Sequence, residues 1–172
     1  MEIAFGEWKL RSWADGDEPA LVKYANNRNI WLNVRDLFPH PYTRSDARAW
    51  IRHARKKPET NFAIASNIEA IGGIGFLPQE DVYRRSAEIG YWLGEPYWSR
   101  GIITMALNVL VQYAFANFDL VRLYATVFEW NQSSVRVLEK NGFKFEGRLA
   151  KSVTKDGKTI DSFLYALVRN NA

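Results

Sequence analysis

Between Ala87 and Leu107 the chain reads AEIGYWLGEPYWSRGIITMAL. An alternating strand runs to Leu93, a connection carries Gly94, Pro96 and Gly101, and an apolar helical run begins near Ile102 with no residue placed to cap it. The first turn of a helix leaves backbone N–H groups without partners. Where no side chain supplies an acceptor an anion can, and the helix dipole favours it. Gly101 lets the backbone approach a phosphate closely, and Arg100 adds positive charge. The pattern points to a phosphate-binding strand–loop–helix; the plainer alternative is a tight turn with no ligand.

The rest of the chain supplies a frame for that turn. Trp8 to Trp13 alternates as a strand, Asp17 stands as the N-cap of a helix from Glu18 to about Asn26, and Asn27 to Tyr42 is irregular. Thr43, with Asp46 three places on, forms a capping box for a helix reaching Lys57 before Pro58. Strands follow at Asn61 to Ala65, Ala70 to Phe76 and Ala87 to Leu93. Gly72, Gly73 and Gly75 inside the second of these mark a bulge or a close backbone approach. A helix from Ile102 to Phe118, a strand from Leu120 to Phe128 and a helix from Ser133 to Asn141 ended by Gly142 come next. Two closing strands, Phe143 to Leu149 and Ile160 to Val168, flank the hairpin signal Asp156-Gly157. The order predicts one domain over residues 1–172, of mixed α/β (α+β) class with a mostly antiparallel sheet.

Composition removes several function classes. The 172 residues hold no Cys, and the two His residues lie far apart without ligand-spaced partners, so neither thiol chemistry nor a zinc site is indicated. His40 and His53 also lack a Ser or Asp at motif spacing, which leaves a hydrolase triad unsupported. No stretch approaches the roughly 20 apolar residues that span a bilayer, and the charged N-terminal residues do not resemble a signal peptide, so a cytoplasmic protein is expected. The net charge of +4 concentrates on one predicted helix, at Arg44, Arg48, Arg52, Arg55, Lys56 and Lys57, opposed there only by Asp46. That face reads either as a solvated surface or as a ribosome- or RNA-binding one, although no aromatic-and-basic strand pattern accompanies it.

The motifs Glu88-Ile89-Gly90-Tyr91-Trp92-Leu93 and Trp98-Ser99-Arg100-Gly101-Ile102-Ile103-Thr104 resemble the acetyl-CoA strand and loop of the GNAT acetyltransferase superfamily, in its RimJ/RimL-like branch. Phe38 to Thr43, Asn131-Gln132-Ser133-Ser134 and Val137 to Phe143 continue the resemblance over roughly residues 8 to 168. The resemblance implies a GNAT fold of about seven strands and four helices, splayed at the cofactor strand. It implies acetyl-CoA as cosubstrate, no metal, and frequent homodimers. Backbone near Trp92 and Leu93 is then expected to hold the pantetheine arm, N–H groups from Trp98 to Thr104 the pyrophosphate, and Asn131 the thiol end. Ile103 departs from the family, which has a small residue there. If its side chain enters the core the loop is unaffected, and otherwise cofactor affinity falls.

Acetylating an amine requires a neutral amine, a donor for the developing oxyanion and a proton for the departing thiolate. The family's frequent Tyr is replaced by Leu138, and the resemblance passes the proton-donor role to Ser134, which otherwise is a residue near a helix start. Glu88 is the candidate base, its alternative being a strand carboxylate paired with a basic neighbour; Val153 stands where some relatives place a Glu. Trp31, Asn33, Phe38, Tyr42 and Tyr91 are the acceptor-side candidates, since the irregular segment is too aromatic for a solvent loop; the alternative is a satellite hydrophobic cluster. The acceptor is a protein or peptide α-amine, a ribosomal protein among them, or a small-molecule amine such as a polyamine or an antibiotic. A catalytically silent acyl-CoA-binding module is the competing reading, toward which Ile103, Leu138 and Val153 lean.

Overall fold

The computed structural model describes residues 1–169; the last three residues of the expected single domain 1–172 lie outside it. Among the described residues eight strands occur, β1 (Glu2–Phe5), β2 (Trp8–Arg11), β3 (Asn61–Ala65), β4 (Ala70–Pro78), β5 (Ser86–Leu93), β6 (Arg122–Phe128), β7 (Lys144–Lys155) and β8 (Lys158–Val168). Five α-helices accompany them, α1 (Glu18–Ala25), α2 (Arg28–Trp31), α3 (Arg44–Ala54), α4 (Ile102–Asn117) and α5 (Gln132–Lys140). The strand order is β1-β2-β3-β4-β5-β6-β8-β7. Pairing is antiparallel for β1/β2, β2/β3, β3/β4, β6/β8 and β7/β8, and parallel for β5/β6. The mixed α/β, mostly antiparallel fold is as the sequence predicts, with one strand and one helix more. The added strand β1 folds back on β2 through Gly6-Glu7, Phe5 facing Trp8, with Gly6 at φ +62°. The added helix α2 is a single turn started by Asn27, whose side chain accepts from the N–H groups of Asn29 and Ile30.

By its contacts the chain forms two compact units, residues 1–75 with 91–109, and residues 76–90 with 110 onward. The boundaries fall inside β4, β5 and α4. In the first unit Leu10, Trp13, Leu21, Ile51, Phe62, Ile64, Ile71, Ile102 and Leu107 are buried. Asp17 stands at the N-cap position of α1 as expected, but its side chain makes no cap hydrogen bond there. It is buried and accepts both guanidinium nitrogens of Arg11, at 2.7 and 2.6 Å, and the N–H of Ala14 at 2.9 Å. A buried carboxylate without such partners would be costly, so the ion pair takes precedence over the cap.

Thr43 and Asp46 do form the capping box of α3, each side chain accepting the other's N–H. Thr43→Ala is therefore expected to cost about 1 kcal/mol, seen as a lower urea midpoint at unchanged slope. An unmoved midpoint would show that the box is idle. Four of the cations on and just beyond α3 are matched from outside the helix: Arg44 and Arg48 by Glu18, Arg55 by Asp15 and Lys57 by Glu59. Exposed pairs of this kind add little stability, but they remove most of the uncompensated charge on which a nucleic-acid face would rest.

In the second unit Phe76 meets Phe118 edge-on at 4.9 Å, and Gly142, at φ +82°, ends α5. The hairpin β7/β8 turns at Asp156 and Gly157, both left-handed, as the sequence predicts. β7 runs further than expected because a bulge between Leu149 and Val153 lets it continue. Lys151 takes φ +52° there, held by Asp161, which accepts the Lys151 N–H at 2.8 Å and pairs with Arg148.

Candidate functional site

Three glycines let the end of β5 settle in the first unit. A Cβ on Gly72 would lie 2.5 Å from the Trp92 carbonyl oxygen, and one on Gly73 would lie 2.7 Å from the Trp92 indole nitrogen and 3.2 Å from Trp13. Gly94 tucks against the Tyr24 ring and donates its N–H to Ile71 O at 2.8 Å. The close approach that the glycine-rich stretch predicts is thus an approach to Trp92. The Trp98 indole then donates to Leu93 O at 2.7 Å. The Leu93 carbonyl, one backbone group of the Trp92–Leu93 stretch expected to hold the pantetheine arm, is engaged within the chain.

Beyond Trp98 the backbone turns twice through the left-handed region, at Ser99 (φ +62°) and Gly101 (φ +75°), before α4 begins at Ile102. Alternating left-handed residues bring successive N–H groups to one side and form an anion-binding concavity. A non-glycine residue at positive φ stores strain of the sort found at ligand sites. The first turn of α4 carries no acidic residue, and a helix N-terminus favours an anion. Ser99, Arg100 and Gly101 are exposed and Ile102 is buried, whereas Ile103 and Thr104 are half-buried. The core anchor of the loop is thus Ile102, and part of Ile103 stays accessible. Beneath the loop Tyr97 carries the Arg100 guanidinium over its ring at 5.6 Å and meets Trp8 and Tyr24 edge-on. The Tyr24 hydroxyl donates to Glu69 at 2.6 Å; burial, and then that bond, push the phenol up to about 12.

The acceptor-side candidates separate in the same unit. Phe38 packs against Tyr42 at 5.1 Å and Trp92 at 5.6 Å. Tyr42 is only 5% exposed, and burial raises its phenol, so it supports Phe38 rather than presenting a hydroxyl. Trp31 stacks on exposed His40 at 5.7 Å, with Arg28 over its ring. Asn33 turns its amide to the Asn29 carbonyl at 3.0 Å. Tyr91 alternates along β5 with buried Ile89 and Leu93, on the opposite face from Trp92. Trp92, expected to serve through its backbone, is therefore the β5 residue whose side chain reaches Phe38. Glu95 escaped the sequence reading: it accepts the amides of Asn27 and Asn29, and no local spacing marks partners 66 and 68 residues away.

The second unit holds Glu88, Asn131 and Ser134. The parallel ladder of β5 and β6 covers Ser86–Glu88 against Arg122–Tyr124. Glu88 is half-buried, between buried Ala87 and Ile89. Asn131 is the N-cap of α5, its Oδ1 accepting the Ser134 N–H at 3.2 Å. Ser134 is half-buried in the first turn of that helix. Leu138 is fully buried and packs in the core. Glu129 and Asp161 exchange bonds, the Glu129 N–H donating to Asp161 O and the Asp161 N–H to Glu129 Oε1, which fixes the strand end before Asn131. Among the described residues no cluster of three or more His, Asp or Glu could hold a metal ion, and no helix is long and apolar enough to cross a membrane.

Comparison with known proteins bears on this geometry. A family profile described as acetyltransferase (GNAT) domain matches residues 8–144. The chain is 37% identical over 101 residues to the uncharacterized N-acetyltransferase YoaA of Bacillus subtilis, covering 59% of this chain and 56% of that protein. It is 35% identical over 107 residues to the ribosomal-protein-serine acetyltransferase of Escherichia coli, covering 62% and 59%. The matches thus span less than two thirds of either relative. Among solved structures, RimL, a ribosomal L7/L12 alpha-N-protein acetyltransferase in complex with coenzyme A, superposes with a TM-score of 0.87 at 22% identity, covering 98% of each chain. At that identity the likeness establishes the fold.

Proposed function

The chain belongs to the GNAT acetyltransferase family, and we propose that it is an acetyl-CoA-dependent N-acetyltransferase acting on a primary amine, foremost the α-amine of a peptide or protein. The observation that carries this is the doubly left-handed turn at Ser99 and Gly101 immediately ahead of α4. The Trp98 N–H, expected to join the pyrophosphate site, donates instead to Glu95 O at 3.1 Å; the backbone from Ser99 to Thr104 holds the pyrophosphate in this reading, and Arg100 can leave the Tyr97 ring for a phosphate oxygen at modest cost. No metal is required. In this reading residues 1–172 act as one acetyltransferase domain in the cytoplasm, as a homodimer.

Bound acetyl-CoA supplies the acyl thioester. The amine nitrogen attacks the thioester carbonyl carbon in a ternary complex; the C–N bond forms, the C–S bond breaks, and the sulfur leaves as thiolate. Backbone N–H groups near the end of β5 stabilise the charge that develops on the carbonyl oxygen. The Ser134 hydroxyl relays a proton to the thiolate and takes one back from water, while Glu88 accepts the surplus proton of the amine, directly or through water, and returns it to solvent. Asn131 orients Ser134 by capping α5.

A single carboxylate base favours an amine that is already partly neutral. An α-amine has a pKa near 8 against about 10.4 for lysine, so roughly a tenth of it is neutral at pH 7. Free lysine and polyamines start at a disadvantage. The ribosomal proteins acetylated by the E. coli relative and by RimL suit the same preference.

The test is release of coenzyme A thiol from acetyl-CoA against a panel of N-terminal peptides, polyamines and aminoglycosides. N-terminal peptides are expected to give the highest kcat/KM. Ser134→Ala and Glu88→Gln are each expected to lower kcat by about 10²-fold, and a residue whose variant keeps full kcat leaves the mechanism. Coenzyme A binding with no thiol release for any amine would establish the silent module instead.

A further inference from the structure

The segment that carries Trp31, Asn33 and Phe38 is fastened to the rest of its unit at a few points. Asn26 Oδ1 accepts the Tyr42 N–H at 3.0 Å, and Phe38 rests on Trp92. Ile30 is buried, and a further fastening is Glu95, which stands two residues beyond Leu93 and three before Trp98. Its Oε2 accepts the Asn27 amide at 2.6 Å, and the Asn29 amide reaches both carboxylate oxygens, at 3.3 and 3.2 Å. Asn27 Oδ1 in turn accepts the N–H groups of Asn29 and Ile30, at 2.8 and 3.3 Å, and so starts α2. The Asn29 carbonyl accepts the Asn33 amide. One carboxylate therefore holds both asparagines from which Trp31 and Asn33 are built out. Bonds from Asn27, and then Asn29, to its charged form hold Glu95 below the usual carboxylate range.

We propose that Glu95 is a positioning residue for the acceptor: it ties α2 to the turn that leads into the donor loop, so that the acceptor-side segment is ordered on that loop. This rests on the reading of Trp98 to Thr104 as the acetyl-CoA loop. Glu95 acts through Asn27 and Asn29 and touches neither substrate. Its amide partners use both carboxylate oxygens, which separates it from a carboxylate waiting for a cationic acceptor. Without it, α2 is a single turn, and a helix that short does not persist on its own propensity. The aromatic face it presents then disperses over many conformations, and the acceptor must order it on binding.

Glu95→Ala and Glu95→Gln in the full chain test this, read by hydrogen exchange without ligand, by calorimetric titration with coenzyme A, and by acceptor kinetics. Glu95→Ala is expected to speed exchange over residues 28–33 about tenfold, the loss of a charge-assisted bond set on an open surface, while residues 44–54 keep their protection. Acceptor KM is expected to rise about tenfold, with kcat and the coenzyme A Kd each held within about twofold. Glu95→Gln keeps an oxygen for Asn27 and is expected to recover most of both effects. Unchanged exchange over residues 28–33 overturns the proposal. So does a fall in coenzyme A affinity equal to the rise in KM, or a lowered melting temperature with no KM effect. A wild-type chain that releases no thiol would defeat the acetyltransferase reading, while the exchange experiment would still decide the role of Glu95.

Discussion

Gly72→Ala is expected to lower the stability of the protein by about 2–3 kcal/mol or more, the range for forcing extra atoms into a packed site. The added methyl would lie 2.5 Å from the Trp92 carbonyl oxygen, 3.1 Å from the Leu93 Cα and 3.1 Å from Leu93 Cδ1. Two of these three atoms are backbone and cannot swing aside, so relief requires β4 and β5 to move apart. A carbon and a carbonyl oxygen need more than 3 Å, and the displacement would carry Trp92 and the start of the Gly94–Trp98 turn with it. Gly90→Ala is the control. A Cβ there meets nothing within 4 Å, and the variant is expected to stay within about 0.5 kcal/mol of wild type. Urea unfolding of both measures the contrast; equal midpoints would mean that the strands yield without cost. Gly73→Ala falls between them, because its nearest neighbours are the indoles of Trp92 and Trp13, and its larger consequence should be a displaced Trp92 and a weakened contact with Phe38.

Gly101→Val is expected to weaken coenzyme A binding by about tenfold to a hundredfold while leaving the fold intact. The glycine sits at φ +75°, and a Cβ at that place meets no atom within 4 Å, so the effect comes from backbone preference alone. A β-branched residue at positive φ is strained by roughly 1–3 kcal/mol. The loop relieves that strain by leaving the left-handed region, which turns at least one N–H of the concavity away from the ligand. That strain corresponds to the stated range of Kd at 1.4 kcal/mol per tenfold. Because Ile102 is buried and Met105 donates its N–H to Gly101 O, α4 itself should persist, and circular dichroism is expected to match wild type. Calorimetric titration decides the matter: an unchanged Kd would remove the left-handed turn from the donor site. Ile103→Ala in the same titration reports on the half-buried side chain next to it, and tighter binding would show that Ile103 crowds the pyrophosphate.

Several features of the fold and the site were legible from residues close together in the chain. The Thr43/Asp46 box, the Asp156-Gly157 hairpin and the stop at Gly142 each depend on backbone groups within about four residues, and all stand as the sequence implies. The order of motifs from Glu88 to Phe143 likewise carried the family, since a linear pattern survives without coordinates. Matters settled by residues far apart in the chain were not legible. Trp92 rather than Tyr91 faces Phe38 because β4 offers bare glycines on that side, which only the pairing of strands reveals. Asp17 keeps the N-cap position of α1 but turns its carboxylate to Arg11, and Arg48 and Arg55 find Glu18 and Asp15 across a helix packing that no spacing encodes. Ile103 stays half-buried because Ile102 takes the core position, a choice made by the rotation of α4 against its neighbours. Local hydrogen bonding and hydrophobic period are written along the chain, so they determined the elements and the donor motif. Which side chains meet across 60 or more residues depends on how those elements pack, and so the tertiary structure alone decided that Glu95 accepts the amides of Asn27 and Asn29.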